Sequence, residues 1–326
     1  LIVRFYHESL QHSKQKIDWI GAITLVISVV SLMFALELGG KEYKWDSFQI
    51  ISLFASFFVF FVAFFIAEVK AKEPILPFWL FKRRLFATSQ ILAFLYGGTF
   101  IILTVFIPIF VQAVYGGTAK NAGLILTPMM LGSVAGSSIG GIFLTKTSYR
   151  NLMFISIVSY VVGMYSLGTM TVDTARWMLT IYMILVGFGV GFSFSLLPTA
   201  SIHNLEPQYR GTANSTNSFL RSFGMTLGVT IYGTIQSNVF TTKLQEAFKG
   251  MQGGGNFKMG DPRQIFQASE RSKIPSFVLD KIVHAMSDSI THTFMLTLIP
   301  IVLAAITIFF MGKARVVVAN KAAKGQ

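Results

Sequence analysis

Hydrophobic residues along this chain gather into long runs instead of alternating with polar ones. Eight runs stand out, over about 17–38, 48–67, 86–111, 121–144, 152–170, 178–197, 213–235 and 291–311. A helix of roughly 20 apolar residues spans a hydrocarbon core about 30 Å thick. Backbone groups in lipid must be satisfied within their own segment, and the strict alternation of barrel strands is missing. The runs therefore predict eight transmembrane helices.

The polar stretches between the runs set the organisation. A segment over 1–16 precedes two helices within 17–70, and a linker over 71–85 leads to a six-helix body, 86–235 with 291–311. A long loop over 236–290 separates the last helix from the rest, and a tail covers 312–326. In that loop Gly253, Gly254 and Gly255 break the chain. Asp261-Pro262 and Pro275 each read as the start of a short helix lying over the membrane surface. The chain opens on Leu1 without an initiator Met, and it reads as the C-terminal piece of a longer polypeptide.

Composition agrees with the pattern. Only 13% of the 326 residues are charged and 53% are hydrophobic. A soluble domain carries about 25% charged residues. The mean hydropathy is +0.61, so a soluble enzyme, a disordered chain and a disulfide scaffold are excluded. There is no cysteine, which removes thiolate metal sites and cysteine nucleophiles.

The net charge of +13 changes the picture only once it is placed along the chain. With both ends cytoplasmic, fifteen basic residues fall in inside segments and four (Lys41, Lys44, Lys120, Arg176) in short outside loops. That asymmetry obeys the positive-inside rule and needs no nucleic acid as a partner. The charge is topology signal.

Small residues mark where helices meet, because lipid-embedded helices gain little from burying apolar surface and rely on close approach. Pro128, Gly132, Gly136 and Gly140 recur every four residues in the fourth span, and Gly187 and Gly191 do so in the sixth. In the seventh, Gly211, Asn214, Asn217, Arg221, Gly224 and Gly228 put amides and a guanidinium on one face. Arg221 lies ten residues from Gly211, about 15 Å along the helix. Pro128 is read as a kink inside its span. Kinked, closely packed helices suit a transporter whose helices rock against one another.

Several motifs carry a resemblance. Leu76-Pro77-Phe78-Trp79-Leu80-Phe81-Lys82-Arg83-Arg84-Leu85-Phe86 is followed by Phe106-Ile107-Pro108-Ile109-Phe110-Val111-Gln112. Ala122-Gly123-Leu124 with Thr127-Pro128 comes next, then Arg210-Gly211-Thr212-Ala213-Asn214 with Arg221 and Gly224. Together they resemble the major facilitator superfamily, in its fourteen-span drug/proton antiporter branch (EmrB/QacA type). The resemblance implies an all-α polytopic membrane protein. It makes this chain spans seven to fourteen: two extra helices and the C-terminal half of the transporter. The run from Gly141 to Arg150, with Lys146 and Arg150, resembles a degenerate copy of the family's cytoplasmic-loop motif, lacking its acidic residue.

The resemblance also implies a function, proton-coupled efflux of several amphipathic compounds across a bacterial cell membrane by alternating access. Tyr96, Thr99, Gln112, Asn217 and Arg221 are the candidates to line the substrate cavity. Pro108 and Gly123 join the glycines above as conformational positions. The partners implied are small amphipathic substrates, protons, the bilayer and the missing N-terminal half. A second reading is a facilitator that exports one metabolite, siderophore or lipid; a channel or a membrane enzyme stands behind both. Catalytic residues, cofactors and metals are not expected: the carboxylates Asp18, Glu37 and Glu68 fall near span ends, and the five histidines lack ligand spacing. A coupling carboxylate would therefore belong to the N-terminal half.

Overall fold

The computed structural model describes residues 18–40, 42–71, 76, 78–116, 123–249, 271 and 274–316. They form two compact units, divided after Phe78.

The first unit is a helical hairpin, α1 (Trp19–Leu38) and α2 (Phe48–Lys70). Asp18 caps α1 by accepting from the Gly21 N–H at 2.9 Å, and Ser47 caps α2. Gly40, at φ 76°, turns the chain against the Trp45 ring. The hairpin is held by hydroxyls, with Ser28 donating to the Phe57 carbonyl at 3.2 Å and Ser31 paired with Ser56 at 3.0 Å. Such bonds replace the hydrophobic drive that lipid withholds.

The second unit begins at Trp79, within a 3₁₀ turn (Phe78–Lys82). It continues through α3 (Arg84–Val114), α4 (Thr127–Phe143), α5 (Tyr149–Gly168), α6 (Arg176–Ser201), α7 (Pro207–Phe248), α8 (Ser276–Leu296) and α9 (Leu298–Phe309). Its main helix pairs are α4 with α6, α3 with α7, and α5 with α6, while α8 and α9 pack on α3 and α5. A core of Leu, Ile, Met and Phe side chains links α3, α5, α6 and α8.

The helix limits depart from the sequence reading in three places, each for a local reason. The helix expected to end near 235 runs on to Phe248. The apolar run stops there, but no Gly or Pro interrupts 234–248, so burial ends and helicity does not. At 42 residues α7 is about 63 Å long, twice the hydrocarbon thickness.

The segment starting at Pro275 is not a short surface helix: α8 runs 21 residues to Leu296. The chain breaks at Thr297 before α9, because Pro300 has no N–H to donate to the Leu296 carbonyl. Finally, Pro128 is the second residue of α4 and not an internal kink. In the first turn a proline loses no helical bond. The start expected at Asp261-Pro262 and the beginning of the fourth run at 121–122 lie outside the described residues.

Among the described residues, six stretches are long and apolar enough to cross a membrane: α1, α2, α3, α5, α6, and α8 with α9 taken together. α4 has only 17 residues, about 26 Å.

Candidate functional site

The polar groups inside the second unit collect along α3, α5, α6 and α7. Glycine makes this possible. A Cβ on Gly224 would collide with the Phe94 backbone, and one on Gly228 with that of Gly98, so α3 and α7 touch backbone to backbone. The α4–α6 pair is built alike, with Gly132, Gly136, Gly187 and Gly191 each pressed on a facing carbonyl and Gly140 on the Ser195 hydroxyl. Gly123 and Gly211 differ: no atom of another element comes within 4 Å of where their Cβ would stand.

Where α7 meets α6, Arg221 is half-buried and reaches Ser193. Its Nη1 donates to the Ser193 hydroxyl at 3.2 Å and its Nη2 to the Ser193 carbonyl at 3.0 Å. The guanidinium also lies 4.7 Å from the centre of the Phe194 ring. Pro198, one turn on, cannot donate to the Phe194 carbonyl. The charge is thus met by a hydroxyl, a carbonyl and an aromatic face, without a carboxylate.

One turn inward, Tyr96 and Tyr160 stack with ring centres 5.2 Å apart and planes 21° apart. Tyr160 donates to the Thr99 hydroxyl at 2.8 Å. The Tyr96 hydroxyl pairs with that of Ser156 at 2.9 Å, and Ser156 donates to the Gly189 carbonyl at 2.6 Å. Tyr96 and Thr99 are therefore packed and bonded between α3 and α5.

Asn217 is also buried, and its side-chain amide donates to the side-chain oxygen (Oε1) of Gln90 at 3.2 Å. The Gln90 Nε2 is buried and has no partner among the described residues. Gln112 stands apart at the far end of α3. Its side chain donates to the Pro108 carbonyl at 3.2 Å, and its own carbonyl accepts from Arg271 at 3.1 Å. Pro108 itself lies inside α3. Lys146 and Arg150 sit at the opposite end of the unit, around the turn from α4 into α5.

The structure thus brings Tyr96, Thr99, Asn217 and Arg221 to neighbouring turns of α3 and α7, and leaves Gln112 elsewhere. Ser156, Tyr160, Ser193, Phe194 and Gln90 complete the network and were not singled out from sequence. Gln90 was visible as a lone amide in an apolar run; the others look like ordinary span residues. A cavity of about 160 Å³ beside Thr99, between Phe94, Gly98, Leu227 and Tyr232, lies below the usual ligand-pocket range of roughly 300–1,000 Å³.

Every described carboxylate of the second unit (Asp173, Glu206, Glu246, Asp280 and Asp288) is exposed. In the first unit Glu68 is buried and accepts from the Leu76 N–H.

Glycine-packed, lipid-length helices around an internal arginine define an all-helical, multi-pass membrane protein. Residues 15–229 match the Major Facilitator Superfamily, and the chain belongs to that family. It is 69% identical over 319 residues, 97% of its length, to Multidrug resistance protein 3 of Bacillus subtilis (strain 168). It is 36% identical over 253 residues, 75% of its length, to Multidrug transporter protein MdtP of the same organism. The chain spans 62% and 47% of those two relatives.

A solved bacterial homolog of the human lysosomal transporter Spinster, inward-facing and occupied, superposes with a TM-score of 0.53 at 17% identity. That match covers 90% of this chain and 63% of the other, and it speaks to the fold alone.

Proposed function

We propose that this chain is the C-terminal part of a fourteen-span drug/proton antiporter of the EmrB/QacA branch. It extrudes small amphipathic compounds by alternating access in a bacterial cell membrane. One observation carries the reading: the likeness to Multidrug resistance protein 3 runs through almost the whole chain but reaches less than two thirds of that relative.

The geometry supports the same reading. Tight glycine contacts let helices move as rigid pairs, and Arg221 is held by groups it can exchange for water or substrate more cheaply than an ion pair. Tyr96, Thr99, Asn217 and Arg221 contribute to the substrate path when α3, α5 and α7 part. Gln112 marks its outer end. That every described carboxylate of the second unit is exposed supports placing the proton-accepting group in the N-terminal half.

The test uses everted vesicles carrying the full-length polypeptide. A fluorescent lipophilic cation should accumulate on energisation, and a protonophore should abolish the uptake. Uptake that survives the protonophore would remove proton coupling. Transport of a single metabolite, with no lipophilic cation moved, would favour the specific exporter.

A further inference from the structure

A polar cavity on the second unit stands outside the transport reading. It has a volume of about 470 Å³ and lies where α4 ends, α5 begins and the chain leaves α9. Four cations line it, Lys146, Arg150, Lys313 and Arg315, together with Ser148 and Asn151. No carboxylate does. Among the described residues none of the four forms an ion pair. The Arg150 Nε is buried without a partner among the described residues.

The cluster is built by the fold. Ser148 caps α5 by accepting from the Asn151 N–H at 3.3 Å. The Tyr149 N–H, also in that first turn, donates to the Ala314 carbonyl at 3.1 Å. That bond ties the chain after Gly312 (φ 80°) to the start of α5 and sets Lys313 and Arg315, on either side of Ala314, at the same cavity. Four cations beside the positive end of a helix, with no carboxylate in the lining, favour an anion.

The flank says which anion. At the ends of α4 and α9, a few residues before Lys146 and Lys313 in the chain, Ile142 is 64% exposed, Phe143 44%, Phe309 63% and Phe310 58%, and Lys146 lies over the Phe143 ring. A soluble phosphate gains nothing from that apolar wall, whereas a lipid puts its phosphate among the cations and its acyl chains along the wall. We infer that this cavity binds the headgroup phosphate of an anionic membrane phospholipid.

The measurement is native mass spectrometry of the purified protein with dioleoyl phosphatidylglycerol, dioleoyl phosphatidylcholine or inorganic phosphate. The variant is Lys313→Gln with Arg315→Gln, two residues outside any helix, checked for an unchanged melting temperature. Phosphatidylglycerol should be retained in preference to phosphatidylcholine. The double variant should weaken that retention roughly 25-fold, about fivefold for each surface cation removed. Equal retention of the two lipids, or a double variant that keeps its phosphatidylglycerol, would overturn the site. Inorganic phosphate displacing the lipid at equal concentration would show a free-anion site and overturn the lipid assignment.

Discussion

Arg221 donates through both terminal nitrogens to one residue, Ser193, on the neighbouring helix. A charge at mid-bilayer depth facing lipid costs roughly 2.5–3.5 kcal/mol. Here a carbonyl, a hydroxyl and the Phe194 ring take it up. Among the described residues no carboxylate locks the guanidinium, so under the proposed alternating access the contact can be made in one state and broken in the other.

Arg221→Ala in the full-length protein should therefore lower efflux roughly tenfold to hundredfold, the rate equivalent of ~1.5–3 kcal/mol in hydrogen bonds to a charged group. Membrane abundance should stay near that of the parent. Arg221→Lys should recover part of the activity, since an ammonium lacks the planar fork. Ser193→Ala should cost less than either, because the carbonyl acceptor remains. Parallel immunoblots and efflux rates check this, and abundance falling in step with activity would mean a folding role.

Close approach makes a sharper contrast between two glycines of α7. Gly224→Val places two methyl groups against the Phe94 backbone, and the overpacking should cost ~1–3 kcal/mol. Gly211→Ala meets no other element and should be neutral or stabilising by ~0.5–1 kcal/mol through helix propensity. Thermal unfolding in detergent should separate the two variants. Equal melting temperatures would mean that α3 and α7 do not pack as described.

The buried hydroxyl of Ser156 both pairs with Tyr96 and donates to Gly189. Ser156→Ala strands the Tyr96 hydroxyl at a cost of ~1–3 kcal/mol. Tyr96→Phe combined with Ser156→Ala should recover much of that loss, because no unpaired group remains. A double-mutant cycle on the melting temperature reads the coupling, and strict additivity would contradict the pairing.

Outside the spans, burial pushes the His203 imidazolium down from its ordinary value of about 6.5 toward the neutral form. The unfolded chain then binds more protons than the folded one between the lowered value and 6.5, so stability rises with pH through that window and falls on acidification. His203 also meets Tyr149 at 3.3 Å, a contact that leaves it partly open to solvent. His203→Gln should therefore flatten the melting temperature only slightly between about pH 7.5 and about pH 5. An unchanged acid slope would discount the imidazole.

The sidedness expected from the charge bias can be tested directly, since this chain has no native cysteine to compete with an introduced one. A cysteine at Lys82 should resist an impermeant thiol reagent in intact cells, and one at Lys44 should react. The reverse pattern would invert the orientation.

The helical class, the approximate position of most runs, the meeting faces of α4 and α6, and the Gly224–Gly228 face of α7 follow from the sequence alone. Lipid admits only internally bonded segments, and close contact within it selects small residues at fixed spacing. Where helices stop is a different matter. α7 outlasts its apolar run because polar residues such as Lys243 and Gln245 sustain a helix as well as apolar ones do. The break at Thr297 needed Pro300 to be weighed against a carbonyl four residues back.

Which polar residues meet was decided by the tertiary structure. Tyr96 and Ser156 are sixty positions apart, as are nearly Thr99 and Tyr160, and periodicity along one helix carries no information about the helix it faces. Arg221 and Asn217 were legible because charge and amides stand out in an apolar run. Their acceptors, Ser193 and Gln90, came only with the crossing of α7 against α6 and α3. A backbone carbonyl is the same at every position, and only packing chooses the one that a guanidinium can reach.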